Sequence, residues 1–147
     1  MVRKYQLYLI EDEFAAHYFG RERMFFQLFQ EYGFAKGELK NIIKKQIHYI
    51  TKPLHALKIR QLIQQQLGKR RGFQYDHGTY IIELNGRQSR AELEINGNMV
   101  TIEAFGSYEA ETIFFEVLRK CEPSFLAIDF EHQRFGWLKP IKERKFV

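Results

Sequence analysis

The order of apolar and polar side chains at the start of the chain predicts a strand followed by a long helix. Large side chains alternate over residues 5–10, which predicts a strand buried on at least one face. The acidic residues 11–13 suit a helix N-terminus, where carboxylates meet the positive end of the helix dipole. The helical pattern then runs to about Tyr32, with Gly20 as the place where the helix can bend, and a loop follows over residues 33–37.

Two further helices are predicted after this loop. Apolar residues recur at three- and four-residue steps over residues 38–50 and again over residues 54–67, and this spacing places them on one side of a helix. Pro53 ends the first of these helices because the residue before a proline avoids helical geometry. Gly68 provides a C-terminal stop for the second.

The second half of the chain begins with a pattern typical of strands. Three strands are expected, over residues 79–84, 91–95 and 99–105. Asn-Gly pairs separate them, and this dipeptide is the strongest short signal for a β-hairpin. A helix over residues 109–120 and a last strand over residues 125–130 complete the regular part.

These elements predict a single domain of the α/β (α+β) class over residues 1–147. The expected order is β-α-α-α-β-β-β-α-β, with one mixed sheet of about five strands and helices packed on it. The chain is 45% hydrophobic and 28% charged, so it can bury a core of ordinary size. Its apolar runs are shorter than the roughly 18 residues that a membrane span needs, and we expect a soluble, cytoplasmic protein.

Charge is distributed unevenly between the two halves. Residues 1–71 carry 14 Lys and Arg against 6 Asp and Glu, whereas residues 72–147 carry 9 against 12. A basic half is compatible with a nucleic-acid or acidic partner, but solvated helix faces produce the same imbalance. The densest basic run is Lys69-Arg70-Arg71, directly after a predicted helix end, where cations also favour the helix dipole.

The sequence contains no pattern of residues that indicates catalysis or a cofactor. A P-loop and a nucleophile elbow are both missing from it. The single cysteine, Cys121, excludes an internal disulfide and is interpreted as a small buried residue. The histidines do not have the paired spacing of a zinc site; they are His17, His48, His55, His77 and His132. We therefore predict a protein that is not an enzyme and that binds neither a metal nor a cofactor.

Aromatic spacing in the first predicted helix is more informative. If residues are placed at 100° intervals, Phe14, Tyr18, Phe25 and Phe29 fall within about 60° of one another. Other apolar residues widen this sector beyond the arc of about 100° that a helix needs to cover a core. Two interpretations remain open, namely a helix buried on all sides and an exposed aromatic patch of the kind that marks an interaction site.

Long stretches of the sequence resemble a known family. They are YLIEDEFAAHYFGRE near the start, KQIHYIT in the second helix and, at the C-terminal end, YEAETIFFEVLRKCEPSFLAIDF and RFGWLKPIKERKFV. These stretches resemble the sporulation inhibitor of replication family (SirA), in the same order and at the same ends of the chain. Residues 54–97 match only loosely, so no functional residue is carried over there.

The resemblance implies a regulatory function. Members of the family are made by spore-forming bacilli early in sporulation and block new rounds of chromosome replication. They bind the N-terminal domain I of the replication initiator DnaA, which is distinct from its ATPase and DNA-binding parts. The implied partner is therefore a protein, and we expect no sequence-specific DNA binding, no membrane association and a monomeric free chain.

The resemblance also implies which residues make the contact. They are the Phe and Tyr of the FAxHYFG motif, here Phe14 and Tyr18, and the Gln of the KQIxYI segment, here Gln46. The family motif has Asn where this chain has Ala16, a change that can tune affinity. Phe14 and Tyr18 are four residues apart, so a helix places their rings side by side.

Two further residues are predicted on the same face. They are Ala15, next to Phe14, and Arg21, which helical geometry places beside Tyr18. Gln46 is expected at the border of the apolar side of the second helix, where an amide can bond to a partner without entering the core.

Two hypotheses follow from these observations. The first is a non-catalytic inhibitor that binds domain I of DnaA. The alternative is a small nucleic-acid-binding regulator that uses the basic N-terminal half. They predict different binding behaviour. A nucleic-acid binder should lose affinity steeply with salt, because phosphate contacts carry the affinity, whereas a domain I binder should bind the initiator without DNA.

Overall fold

The computed structural model describes residues 2–86 and 88–139. Within them lie seven strands and five helices, in the order β1 (Val2–Leu9), α1 (Asp12–His17), α2 (Arg23–Phe34), α3 (Gly37–Ile50), α4 (Ala56–Leu67), β2 (Phe73–Asp76), β3 (Thr79–Leu84), β4 (Ser89–Asn96), β5 (Met99–Gly106), α5 (Glu109–Cys121), β6 (Phe125–Asp129) and β7 (Arg134–Trp137). The end of the C-terminal stretch that resembles the SirA family, residues 140–147, lies outside the described residues.

All seven strands form one antiparallel sheet in the order β2-β3-β4-β5-β1-β6-β7. β1 is an interior strand, and its Leu7 pairs with Val100 of β5 on one side and with Ala127 of β6 on the other. The α+β class is confirmed. The expected mixed sheet of about five strands is wrong, because every pairing is antiparallel and β2 and β7 add a strand at each edge.

One face of the sheet is covered by α4 and α5. Leu93 of β4 and Ile102 of β5 pack in one buried cluster with Ile63 of α4 and Phe114 of α5. All four side chains are at most 1% exposed. Burial of this apolar surface is the main stabilising contribution to the fold.

The opposite face is covered over β1, β6 and β7 by α1, α2 and α3. Ile10 and Ile128 pack there against Phe25, Phe26 and Phe29 of α2. On β4 and β5 the same face carries polar residues that stay at least partly accessible, among them Glu92, Glu94, Thr101 and Glu103. An antiparallel sheet tolerates this because one of its faces can remain solvated.

The predicted long helix is in fact two helices. α1 ends at His17 and α2 begins at Arg23. Between them Gly20 adopts a φ of +83°, in the left-handed region that glycine enters at low cost. The Glu22 carboxylate accepts hydrogen bonds from the Gly20 N–H (3.0 Å) and from the Trp137 indole N–H (3.2 Å), so the turn is also tied to β7.

A buried ion pair joins the N-terminal strand to α5. The Nε of Arg3 donates to both carboxylate oxygens of Glu111, at 3.1 and 3.0 Å. The same guanidinium donates to the carbonyl of Ser107 and lies 4.3 Å from the ring centre of Tyr108. Arg3 is 3% exposed and Glu111 1%, so each charge depends on the other for compensation.

Candidate protein-binding site

Backbone hydrogen bonds hold the start of α1 next to the end of α3. An isolated antiparallel bridge pairs Ile10 with Thr51. The Glu11 N–H donates to the carbonyl of Ile50 (2.8 Å), and the Lys52 N–H donates to the carbonyl of Leu9 (2.7 Å). The predicted stop at Pro53 is confirmed, since α3 ends at Ile50. The extended residues that follow supply this bridge.

Side chains reinforce the same junction. The Nζ of Lys52 lies 3.0 Å from a carboxylate oxygen of Asp12 in the first turn of α1. The hydroxyl of Ser124 is 2.9 Å from that oxygen and 2.8 Å from the carbonyl oxygen of Ile10. The hydrogen bond from Lys52 holds the pKa of Asp12 below its usual value. α1 is therefore fixed at its N-terminal end by both main-chain and side-chain contacts.

This junction brings Phe14 of α1 against Tyr49 of α3. Their ring centres are 5.3 Å apart at an angle of 59°. Phe14 is half-buried, because its inner side packs on the cluster around α2. Tyr49 is 73% exposed. The two rings join α1 and α3 into one accessible surface.

Tyr18 extends this surface at the end of α1. It is half-buried, and its ring meets Phe25 edge-on at 5.6 Å between centres. The guanidinium of Arg21 lies 5.2 Å from the centre of the Tyr18 ring, and its Nη2 donates to the carbonyl of His17. Arg21 does lie beside Tyr18, within the range of a cation–π interaction. The helical adjacency that was predicted is wrong, however, because α1 ends at His17 and the turn at Gly20 brings the two side chains together.

Gln46 lies on the exposed side of α3. One turn away on that side are Ile42, which is 49% exposed, and Tyr49. On the other flank of Gln46, toward the core, lie Ile43, buried, and Ile47, half-buried. The expected position of Gln46 at the border of the apolar side is confirmed, and within the described residues its amide has no hydrogen-bond partner.

Ala15 occupies a different position from the one expected. Its side chain is 2% exposed and packs with Phe25, Phe26 and Leu126. The expectation placed it on the accessible face, but α1 turns this methyl group toward the sheet. Ala15 therefore belongs to the core side of α1, and its small size lets the helix approach the core closely.

Tyr49 is the residue of this surface that the sequence reasoning did not single out. It belongs to the KQIHYIT segment and follows Gln46 by three residues, so it lies on the same side of α3. That spacing could have identified Tyr49 from the sequence.

We call the surface formed by Phe14, Tyr18, Gln46 and Tyr49 the aromatic face.

The rest of the described chain offers little other chemistry. Residues 2–86 and 88–139 contain no group of three His, Cys, Asp or Glu that could hold a metal ion. No helix in these ranges is long and apolar enough to cross a membrane. Cys121 is buried as predicted, and burial raises the pKa of its thiol. The basic residues 69–71 are exposed beyond the end of α4, which packs on the sheet face opposite the aromatic face.

Comparison with known proteins identifies the family. A family model described as sporulation inhibitor of replication protein SirA matches residues 3–142. The chain belongs to the SirA family. It is 48% identical, over an alignment of 149 positions, to the sporulation inhibitor of replication protein SirA of Bacillus subtilis (strain 168), and the match covers all of both chains. The resemblance identified in the sequence is confirmed, and every residue of the aromatic face lies within the span matched by the SirA family.

Proposed function

We propose that this chain is a non-catalytic inhibitor of replication initiation during sporulation and that it binds domain I of DnaA through the aromatic face. Membership of the SirA family supports the replication-inhibitor part, since the relative in Bacillus subtilis carries that description. The observation that carries the binding part is the contact between Phe14 and Tyr49. This contact places Phe14 and Tyr18, which the family resemblance implies, next to the helix that carries Gln46.

The physical character of the aromatic face suits a protein partner. Aromatic side chains bury a large area and lose little rotamer freedom, so they dominate the binding energy of many interfaces. Phe14 and Tyr18 are held in place from below by the cluster around Phe25. A face that is already ordered loses little entropy on binding.

The proposed mechanism requires binding alone. A monomer that covers domain I in the cytoplasm keeps the initiator from acting productively at the origin. It needs neither a cofactor nor contact with DNA. Isothermal titration calorimetry of the purified chain against isolated domain I, without DNA, tests this directly. Saturable binding is expected, and its absence would remove the proposed function.

Gln46→Ala is expected to weaken binding to domain I by about 1–3 kcal/mol, because it removes interface hydrogen bonds and leaves the partner group unpaired. The free protein should keep its melting temperature or gain slightly, since Ala favours an exposed helical site. Calorimetry and thermal melting measure the two effects.

A matched control is Gln65→Ala, which makes the same change at an exposed position of α4. It should leave binding unaltered. If Gln46→Ala binds as tightly as the wild type, Gln46 does not belong to the interface.

The alternative function, DNA binding through the exposed basic residues 69–71, can be tested separately. We expect that replacing Lys69, Arg70 and Arg71 together by Ala leaves domain I binding unchanged. If these residues bound DNA phosphates, the substitution would reduce the salt slope of DNA affinity by up to about three units. Binding to origin and unrelated DNA at several salt concentrations checks this. A specific, salt-sensitive complex with origin DNA in the absence of the initiator would favour the nucleic-acid hypothesis.

A further inference from the structure

We infer that the surface for the proposed partner extends beyond the aromatic face, along α3 and onto the end of α2. This inference rests on the proposed function. It adds three apolar residues that the family resemblance does not implicate, namely Phe34, Leu39 and Ile42. Their side chains are 79%, 58% and 49% exposed, respectively.

The position of these residues along α3 makes the surface continuous. Leu39, Ile42, Gln46 and Tyr49 follow one another at three- and four-residue steps, which places them on one side of the helix. All four are exposed. With a rise of 1.5 Å per residue, this row is about 15 Å long. It begins where Tyr49 touches Phe14 and ends at Leu39.

Phe34 continues the row from the neighbouring helix. It is the last residue of α2, and only two residues separate it from the start of α3. Phe34, Ala35, Leu39 and Ile43 line an open groove of about 520 Å³, bordered by Gln30 and Glu31. The Ala35 N–H donates to the carbonyl of Glu31 (2.8 Å), which closes the last turn of α2. Phe34 and Leu39 therefore line the same groove.

The size of the surface indicates what covers it. A specific protein interface buries about 800 Å² on each partner and has an apolar centre with a polar rim. The aromatic face alone, with two half-buried rings, one exposed ring and an amide, supplies less contact area than such an interface needs. The added row supplies the missing apolar part, and it is continuous with the aromatic face. One occupant, the proposed domain I, therefore covers both.

The charges beside the row further define the partner. Glu38 and Lys45 flank it on one side, since each lies one turn from Ile42. These two signs offset each other, which leaves Glu31 at the border of the groove as a single negative charge and no charged patch along the row. We expect domain I to present an apolar strip here, and we expect the affinity to depend only weakly on salt.

The test compares apolar-to-polar variants at matched exposure. Domain I affinity is measured by calorimetry for Phe34→Gln/Leu39→Gln, for Ile42→Gln and for the control Leu57→Gln. Leu57 is 69% exposed on α4, on the other side of the sheet. We expect a loss of roughly ten- to a hundredfold for the first two proteins, as for hot-spot residues, and wild-type affinity for the control.

The possible outcomes separate this inference from the proposed function. If Phe34→Gln/Leu39→Gln and Ile42→Gln both bind like the wild type while Phe14→Ala does not, the extension is wrong and the proposed function stands. If the wild type fails to bind domain I, both are wrong. If the double variant loses thermal stability, Ile42→Gln alone decides, because it changes one exposed side chain.

Discussion

Replacing Phe14 by Ala should weaken domain I binding by about 2–4 kcal/mol, roughly 30- to 1000-fold. The ring joins α1 to α3 through Tyr49, so its removal deletes contact area and also loosens the arrangement of the face. Calorimetry against isolated domain I measures the loss. Tyr18→Ala should have a similar but smaller effect, since part of its ring packs on Phe25.

Phe14→Ala is also expected to lower the free energy of unfolding. A fully buried Phe replaced by Ala costs about 3–5 kcal/mol, and a half-buried one should cost about half as much. The matched control is Phe73→Ala, which removes a half-buried ring from β2, on the other side of the sheet. It should lower the melting temperature comparably and leave binding intact. If Phe14→Ala lost stability like a fully buried residue and the remaining folded protein bound normally, Phe14 would belong to the core alone.

Breaking the ion pair between Arg3 and Glu111 should produce the largest loss of stability. Glu111→Gln leaves the guanidinium of Arg3 buried without a compensating charge, which costs about 3–5 kcal/mol in comparable cases. Chemical denaturation measures the difference in the free energy of unfolding. Replacing both residues by Met should recover most of the loss, because an apolar pair of similar volume removes the need for compensation.

A neighbouring ion pair provides the control. Glu116 and Arg119 lie on the same helix, 3.2 Å apart and partly exposed. Glu116→Gln should change the free energy of unfolding by less than about 1 kcal/mol, since exposed pairs contribute little. Equal effects of Glu111→Gln and Glu116→Gln would show that the buried pair is dispensable. Domain I binding by the folded fraction should be unchanged in both variants.

Most elements could be predicted because their signals are local. α3, α5, β3 and β6 lie within a few residues of their expected bounds, since apolar spacing and turn residues determine them. β2 escaped prediction because it is a four-residue edge strand with mostly exposed side chains. Its alternation of Phe73 and Tyr75 with polar residues, followed by a His-Gly turn, was the available signal.

The direction of the strands could not be derived in the same way. β1 pairs with strands about 100 residues away in the sequence, and no local pattern specifies such a partner. The helices between strands made parallel crossovers a reasonable expectation. In the structure the connections return to the sheet so that every neighbouring pair is antiparallel.

The aromatic site illustrates the same limit. Periodicity left open whether the first helix was wholly buried or partly exposed. The break at Gly20 resolves this, since it lets Phe25, Phe26 and Phe29 enter the core while Phe14 and Tyr18 remain half-buried. The choice of Phe14, Tyr18 and Gln46 came from the family resemblance, and their assembly into one surface depends on a tertiary contact with Tyr49.

The interior position of β1 in the sheet has a consequence for protein synthesis. The strand leaves the ribosome early, but both of its neighbours, β5 and β6, come from the second half of the chain. α1 and its junction with α3 depend on a strand that cannot be paired on both sides until residue 129 has emerged. At 5–20 residues per second, this delay is roughly 6–24 s. A nascent chain that has not yet emerged to residue 129 therefore lacks one or both neighbours of the strand that precedes α1, and its aromatic face is not yet held as it is in the folded protein.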